Sequence, residues 1–418
     1  MKVVSPVRIR ILVVCLIMGV AGSAVDAGAQ INVGTGPLTG TLAETEPTAG
    51  VISLGPVKVA PGLTIRELGW DSNVFNDPES AIPKEDYLVA MQPDAAVFAR
   101  LRFVKVSAYA GLDLNYFKEY TAENSTGHLL RGRFDLLLGR LRPFVAAGET
   151  KIRARPNGEV DVRADRQDSE LSGGVAFDLS AHSLVYAAAV ATEFAFDDAF
   201  EGDVNVASTM TRDGNDYSAG VRTDLTPLLA LTLLGGYHED LFTYVPLRNT
   251  ESYYGSAQLK FAPEGVINGS AAVTYRSMTP VDPTVRPFRG ILGTVGLTYS
   301  FLEVGRLNLG LGRNLEYSFD TAEAYYLENT ISLVYTHRIV GMIDVQVKGS
   351  RSLFDYEASD TVPAHNDTLD AAGGSLGYNL KNRTRVAVNY EYSRRRSLAL
   401  ADRNYERQRV FLSWLFAF

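Results

Sequence analysis

His182 and Ser183 stand side by side, and a histidine beside a serine can supply a general base and a nucleophile. Here the pair falls in a short polar turn between two long alternating segments, so the residues read as turn rather than catalytic machinery. His238, His337 and His365 have no partner at a useful sequence spacing. The chain carries no phosphate-cradling glycine loop, zinc spacing or EF-hand stretch. Glycine pairs at 173–174, 235–236 and 373–374 sit inside alternating segments, where glycine eases curvature. The single cysteine, Cys15, lies in the apolar N-terminal run, which leaves no disulfide or thiolate site beyond it. No catalytic residue, metal or cofactor is expected, and the chain is read as a non-enzyme.

What remains for chemistry is charge placed at every second residue. One set of alternate positions carries Lys105, Arg131, Arg133, Arg222, Arg276, Arg306, Arg338, Lys348, Arg385, Arg395, Arg407 and Arg409. The same face carries Asp113, Asp135, Glu170, Asp178, Glu193, Asp216, Asp224, Asp240, Glu316, Glu328, Asp344 and Glu391. The two groups balance, so strong ion selectivity does not follow. Opposite charges on neighbouring walls give either a transverse field across a pore or salt bridges that brace its wall. Arg394, Arg395, Arg396, Arg403, Arg407 and Arg409 gather around the last loop. The simplest reading there is a solvated loop. Inward members could instead guide an anionic sugar polymer, and outward ones could pair with lipopolysaccharide phosphates.

Such charges need a scaffold of period two. In residues 104–116, Val104, Val106, Ala108, Ala110, Leu112, Leu114 and Tyr116 share one face, and Lys105, Ser107, Tyr109, Gly111, Asp113 and Asn115 the other. Residues 265–276 and 306–319 repeat the pattern, with Arg313 on the apolar face, which suggests a bulge or a rim position. The C-terminal stretch ends in Val410, Leu412, Trp414, Phe416 and Phe418, an aromatic stripe that would attract partners in water but is at home in a bilayer. These residues are read as the signal recognised by the barrel-assembly machinery.

Connections alternate in length. Eight tight turns, near 101–103, 139–141, 180–183, 226–228, 263–265, 302–305, 339–341 and 381–383, are interleaved with nine mostly longer polar loops. This predicts about eighteen strands in a transmembrane antiparallel up-and-down β-barrel, all-β, with short periplasmic turns and longer extracellular loops. Tyrosines and phenylalanines near strand ends fit interfacial girdles.

At 418 residues and 21% charged, the chain has a formal net charge of −8. Its N-terminus has a basic n-region (Lys2, Arg8, Arg10), an apolar Ile11–Val20 and a small-x-small site at Ala27-Gly28-Ala29, which reads as a cleaved signal peptide over 1–29. Its removal would take the net charge from −8 to −10, which gives no general attraction to nucleic acid. Residues 30–60 read as a flexible periplasmic leader, and 61–418 as the barrel. No later segment is apolar enough for a transmembrane helix. An exported chain of this kind belongs in the outer membrane of a Gram-negative bacterium, with lipid and lipopolysaccharide as its surroundings.

The stretch Gly69-Trp70-Asp71-Ser72-Asn73-Val74-Phe75, followed by Asp86-Tyr87-Leu88-Val89-Ala90-Met91-Gln92-Pro93-Asp94, resembles the second β-barrel porin family. The likeness is specific over about 63–120 and architectural from there to Phe418. It implies a porin-like outer-membrane barrel that often accompanies exopolysaccharide or capsule export, with polysaccharide and periplasmic export proteins as partners. A passive channel for a polysaccharide or small polar solutes is therefore the first expectation, and a non-conducting accessory or surface-binding barrel the second.

Overall fold

A computed structural model of the chain describes residues 51–301, 304–357, 363–380, 384–397 and 401–417. The signal peptide, most of the leader and Phe418 lie outside these residues. The sheet starts with a short β1 (Ile52–Leu54), so the described end of the segment read as leader is strand. Then follow β2 (Val57–Asp71), β3 (Asp86–Arg100), β4 (Val104–Phe117), β5 (Ser125–Leu136), β6 (Leu141–Ala154), β7 (Ala164–Asp178) and β8 (Ser183–Phe196). A two-stranded excursion, β9 (Phe200–Glu201) and β10 (Val204–Asn205), leads to the one-turn helix α1 (Val206–Met210). The wall continues with β11 (Arg212–Thr226), β12 (Leu229–Phe242), β13 (Thr250–Phe261), β14 (Ile267–Pro280), β15 (Phe288–Phe301) and β16 (Gly305–Tyr317). It ends with β17 (Tyr325–Val340), β18 (Ile343–Tyr356), β19 (His365–Asn379), β20 (Arg385–Ser397) and β21 (Tyr405–Ala417).

Each wall strand pairs antiparallel with its sequence neighbour, and β21 returns to β2 (Gly62↔Ala417 to Asp71↔Arg409). The result is a closed barrel of 18 strands. Closure satisfies the backbone groups that a bilayer cannot, which is why a spanning sheet has no free edge. Beyond the Gly62↔Ala417 pair, β1 lines the same edge of β2, pairing Ile52 with Val59 and Leu54 with Val57. Among the described residues no helix is long and apolar enough to cross a membrane, and the chain crosses with strands.

The outward face is apolar and exposed, as at Leu112, Val273, Ile331 and Leu412, whereas the alternate inward residues Ser107, Ser172, Thr274 and Asn389 are buried. Eighteen strands about 4.8 Å apart and tilted by about 40° enclose a backbone cylinder roughly 35 Å across. Its inner faces alone could not fill that width.

Arg313 does stand on the outward face, but no register shift marks it. Of the two readings, bulge or rim position, the bulge is not found. Instead the β15–β16 ladder, which begins at Phe301↔Gly305, stops at Gly293↔Arg313, although β15 continues to Phe288 and β16 to Tyr317. The Arg313 guanidinium caps the parting, donating from Nε to Ile291 O (3.1 Å) and from Nη1 to Asn329 Oδ1 (2.6 Å).

Candidate functional site: the lumen and its crossing loop

The structure places most of the charged positions read from the sequence on the inner wall, where they form ion pairs. Asp113 receives Arg66, Arg133 pairs with Asp135 at 2.7 Å, and Arg385 holds Asp344 at 2.6 Å. Glu391 lies between Lys348 and Arg409, and Arg409 also reaches Glu67 at 3.1 Å. Arg222 stands 3.8 Å from Asp224, and Arg276 3.7 Å from Asp240. Arg407 makes a fork on Asp71, with Nε 2.9 and 3.0 Å from the two oxygens. Lys105 and Arg131 sit across from Asp135 and Tyr109 in register, and Arg306 and Arg338 occupy the inner face near the short-turn end. Glu316 is on the inner face opposite Tyr326. Glu193 departs from the expectation: its neighbours Thr192 and Phe194 turn inward, so Glu193 is on the outer face and exposed. His182 is exposed, and Ser183 Oγ is bonded to Thr223 Oγ1 at 2.8 Å rather than to the histidine.

No periodicity in the chain foretells what happens at the long-loop mouth. Residues 155–163, between β6 and β7, fold into the barrel. An excursion of this length reaches only about 15 Å out and back, so structure from the far wall must meet it. Arg395 on β20 does so, 1% exposed, donating to Gly158 O (3.3 Å) and Glu159 O (3.0 Å) while its other arm holds Asp367 at 2.8 Å. Phe354 on β18 packs under Gly158, where a Cβ would come within 2.8 Å of the ring. Only a residue without a side chain lets the loop seat this closely.

The tip of the β16–β17 hairpin meets the loop from a third side. Ser318 Oγ donates to Glu159 Oε1 (2.9 Å), the Phe319 amide to Oε2 (3.2 Å), and Arg403 lies 3.7 Å away. The tip is itself drawn inward. Tyr317 Oη donates to Asp240 Oδ2 (2.7 Å) and accepts from Thr250 Oγ1 (2.6 Å), both on inner faces of β12 and β13. Arg248 ties the tip to α1 by donating to Ser318 O, Ala324 O and Thr209 O. Burial lowers the Arg248 guanidinium to about 10 despite the Tyr317 oxygen nearby. On the near side, Arg155 and Arg163 both donate to Val74 O, and Asn76 Nδ2 donates to Asp161 Oδ1 (2.7 Å). Burial, with Arg407 and Arg163 as neighbours, brings Arg155 down to about 9. A cavity of about 220 Å³ remains beneath the loop, lined by Arg155, Asn157, Asp161, Ser350, Ser352 and Arg407 among others.

The reading of the last loop as simply solvated is therefore corrected: Arg395 is buried and Arg403 faces Glu159. Arg396 turns outward to Glu406 at 3.1 Å and to Glu79.

Glu159 should give the crossing a pH dependence. Burial raises its carboxyl above the ordinary 4.5, and the opposing pull of Arg403, Ser318, the Phe319 amide and Arg395 does not cancel this. A group whose pKa is raised in the docked state favours docking when protonated and opposes it as pH rises through that value. Each unit of difference is worth about tenfold in the docking equilibrium. Single-channel records should show longer closed dwell times near pH 4 than near pH 7, and Glu159→Gln should remove the difference.

The family model described as "Putative beta-barrel porin 2" matches residues 49–418. The chain belongs to this family. No curated protein matches it in sequence. Among solved structures it is similar to a BenF-like porin from Pseudomonas fluorescens Pf-5, at 11% identity and a TM-score of 0.49, over 86% of this chain and 99% of that one. OpdK of Pseudomonas aeruginosa, solved with vanillate, gives 11%, 0.48, 87% and 99%. OccAB3 of Acinetobacter baumannii gives 12%, 0.48, 86% and 99%. The protein is thus an outer-membrane, porin-like β-barrel, and its family is one of channels rather than enzymes.

Proposed function

We propose that the protein is a passive diffusion channel for small polar solutes, with its passage set by the 155–163 loop. The observation that carries this reading is the way the loop is held: by hydrogen bonds and ion pairs from Arg395, Ser318 and Arg403, over a wall of paired charges. A barrel built only as a scaffold has no need of a polar, balanced lumen. Balanced charge admits solutes of either sign, and the ion pairs keep the arginines from trapping anions. Export of an exopolysaccharide, which the family resemblance implies, would need the loop to leave the lumen along its whole crossing. The small-solute reading is therefore preferred.

The test uses folded full-length protein in planar bilayers and in proteoliposomes. Discrete conductance steps are expected, with swelling in a monosaccharide and little in an oligosaccharide of five or more units. Oligosaccharide entry as fast as that of the monosaccharide would favour polymer export. The absence of steps at any voltage, for wild type and for the loop-shortened chain, would favour the accessory barrel.

A further inference from the structure

The parting of β15 from β16 is a break in the barrel wall. Residues 288–292 of β15 and 314–317 of β16 face each other without register partners, a longer parting than that of β5 and β6 at the same mouth, whose ladder stops at His128↔Lys151. Its height can be read from the outer surface. Tyr217, Tyr237 and Tyr253 are cross-strand partners, Tyr275 is paired with Gly255 on the next strand, and Tyr275 is opposite Ile291. Tyr253, Tyr275 and Ile291 are 67%, 54% and 61% exposed. Such a tyrosine row marks the outer interface, so the break opens at the level of the outer-leaflet headgroups. Toward the hydrocarbon below it, unpaired backbone is tolerated only where something covers it.

What covers it is unlike the rest of the lumen. Because the β16–β17 tip turns inward, Tyr317, Tyr325 and Leu327 pack with Phe242, Met278, Phe288 and Leu292, and Leu315 lies against them. This apolar cluster begins at the break and runs into the barrel interior. Behind the parting the strands meet through side chains rather than ladder hydrogen bonds, with the Phe288 and Tyr325 rings edge to face at 6.4 Å on the inner side of β15. Two cations, Arg289 and Arg313, are exposed on the outer face on either side of Ile291. Arg313 already bonds Ile291 O and Asn329 Oδ1 and lies near the Asp355 carboxylate, whereas Arg289 makes no ion pair among the described residues; an outward charge is costly unless it is paired or sits at the interface.

We infer that this seam is an entry site for a single-chain anionic amphiphile of the outer leaflet, with its headgroup against Arg289 and Arg313 and its chain between Leu292 and Leu315. The cluster behind the parting offers an acyl chain an apolar path away from water. The two guanidiniums suit a carboxylate or phosphate head. The site does not depend on whether the axial pore conducts.

The experiment reconstitutes the full chain in phosphatidylcholine liposomes with a diazirine-bearing palmitic acid, irradiates, and maps labelled peptides. Labelling is expected to concentrate in 288–292 and 313–317 and to be competed by unlabelled palmitate. It should fall about tenfold in the Arg289→Gln/Arg313→Gln variant and when the probe is the uncharged palmityl alcohol. Heat-modifiable gel mobility checks that the variant is folded, and conductance of the same samples reports the pore separately. Labelling spread evenly over Val273, Leu311 and Ile331, or unchanged by the two substitutions, overturns the proposal. Stronger labelling of the same peptides by a diazirine phosphatidylglycerol overturns the single-chain assignment in favour of a two-chain lipid.

Discussion

Replacing residues 156–162 by a short Gly-Ser linker should raise the single-channel conductance several-fold. The lumen left by a barrel roughly 35 Å across, after a layer of side chains on each side, is about 25 Å wide. The crossing loop divides that width by joining the β6–β7 side to β18 and β20 opposite. Two point variants separate removal of the loop from mere damage. Arg395→Met breaks the buried ion pair with Asp367 and the bonds to Gly158 O and Glu159 O. Removing one partner of such a pair costs about 3–5 kcal/mol, more than a short loop's docking withstands. Gly158→Leu leaves every charge in place but drives a side chain into the Phe354 ring. Both should convert a quiet, low-conductance state into the larger one, without loss of the folded barrel on heat-modifiable gels. If all three variants conduct like wild type, the loop is not the constriction and the functional reading fails with it.

The barrel was legible in the sequence because a strand in a bilayer wall must satisfy two solvents at once. Alternation at 104–116 separates Leu112 and Tyr116, which the structure leaves exposed to lipid, from Ser107 and Asp113, which it buries. Glu193 escaped because the alternation around it is weak: alanines on both faces of Val185–Ala195 give little contrast. The loop constriction escaped for a different reason. Pairing of Arg395 with the carbonyls of 158 and 159 joins positions more than two hundred residues apart, and no periodicity records such a contact. One local signal was present. In the Asp-Ser-Asn run after β2, Asp71 holds Arg407 and accepts from the Asn73 amide (3.0 Å). Asn73 in turn donates to Asp77 O and Glu406 O (2.9 and 3.2 Å). The motif is a clasp between the first and last wall strands, so its residue types carry closure chemistry that spacing alone could not assign. Arg313 likewise looked like an error of pattern and proved to mark the place where a ladder stops.

That clasp and the β21 stripe bear on the second large effect. Trp414→Asp together with Phe416→Asp should abolish the folded, heat-modifiable barrel in outer-membrane fractions and leave the chain degraded in the periplasm. Trp414 is on the outer face of β21, paired with Ile65 on β2 and Val386 on β20, and its ring stands 6.1 Å from that of Phe416, edge to face. A carboxylate on the lipid face costs up to a few kcal/mol near the midplane, though less toward the interface. Two of them on the strand that closes the ring act where the ladder to β2 must form last. The β2–β21 register also shifts there, between Ile65 and Leu68. If the stripe acts through bilayer burial alone, Trp414→Leu with Phe416→Leu restores assembly fully. If the assembly machinery reads aromatic residues, the leucine pair inserts slowly, and deletion of Phe418 in an otherwise native chain is as damaging as the aspartates. Pulse-chase insertion measured on the three variants separates a solvent effect from a recognition effect. Normal insertion of the aspartate pair would refute both, because neither a lipid-facing stripe nor a recognised signal survives two charges at its centre.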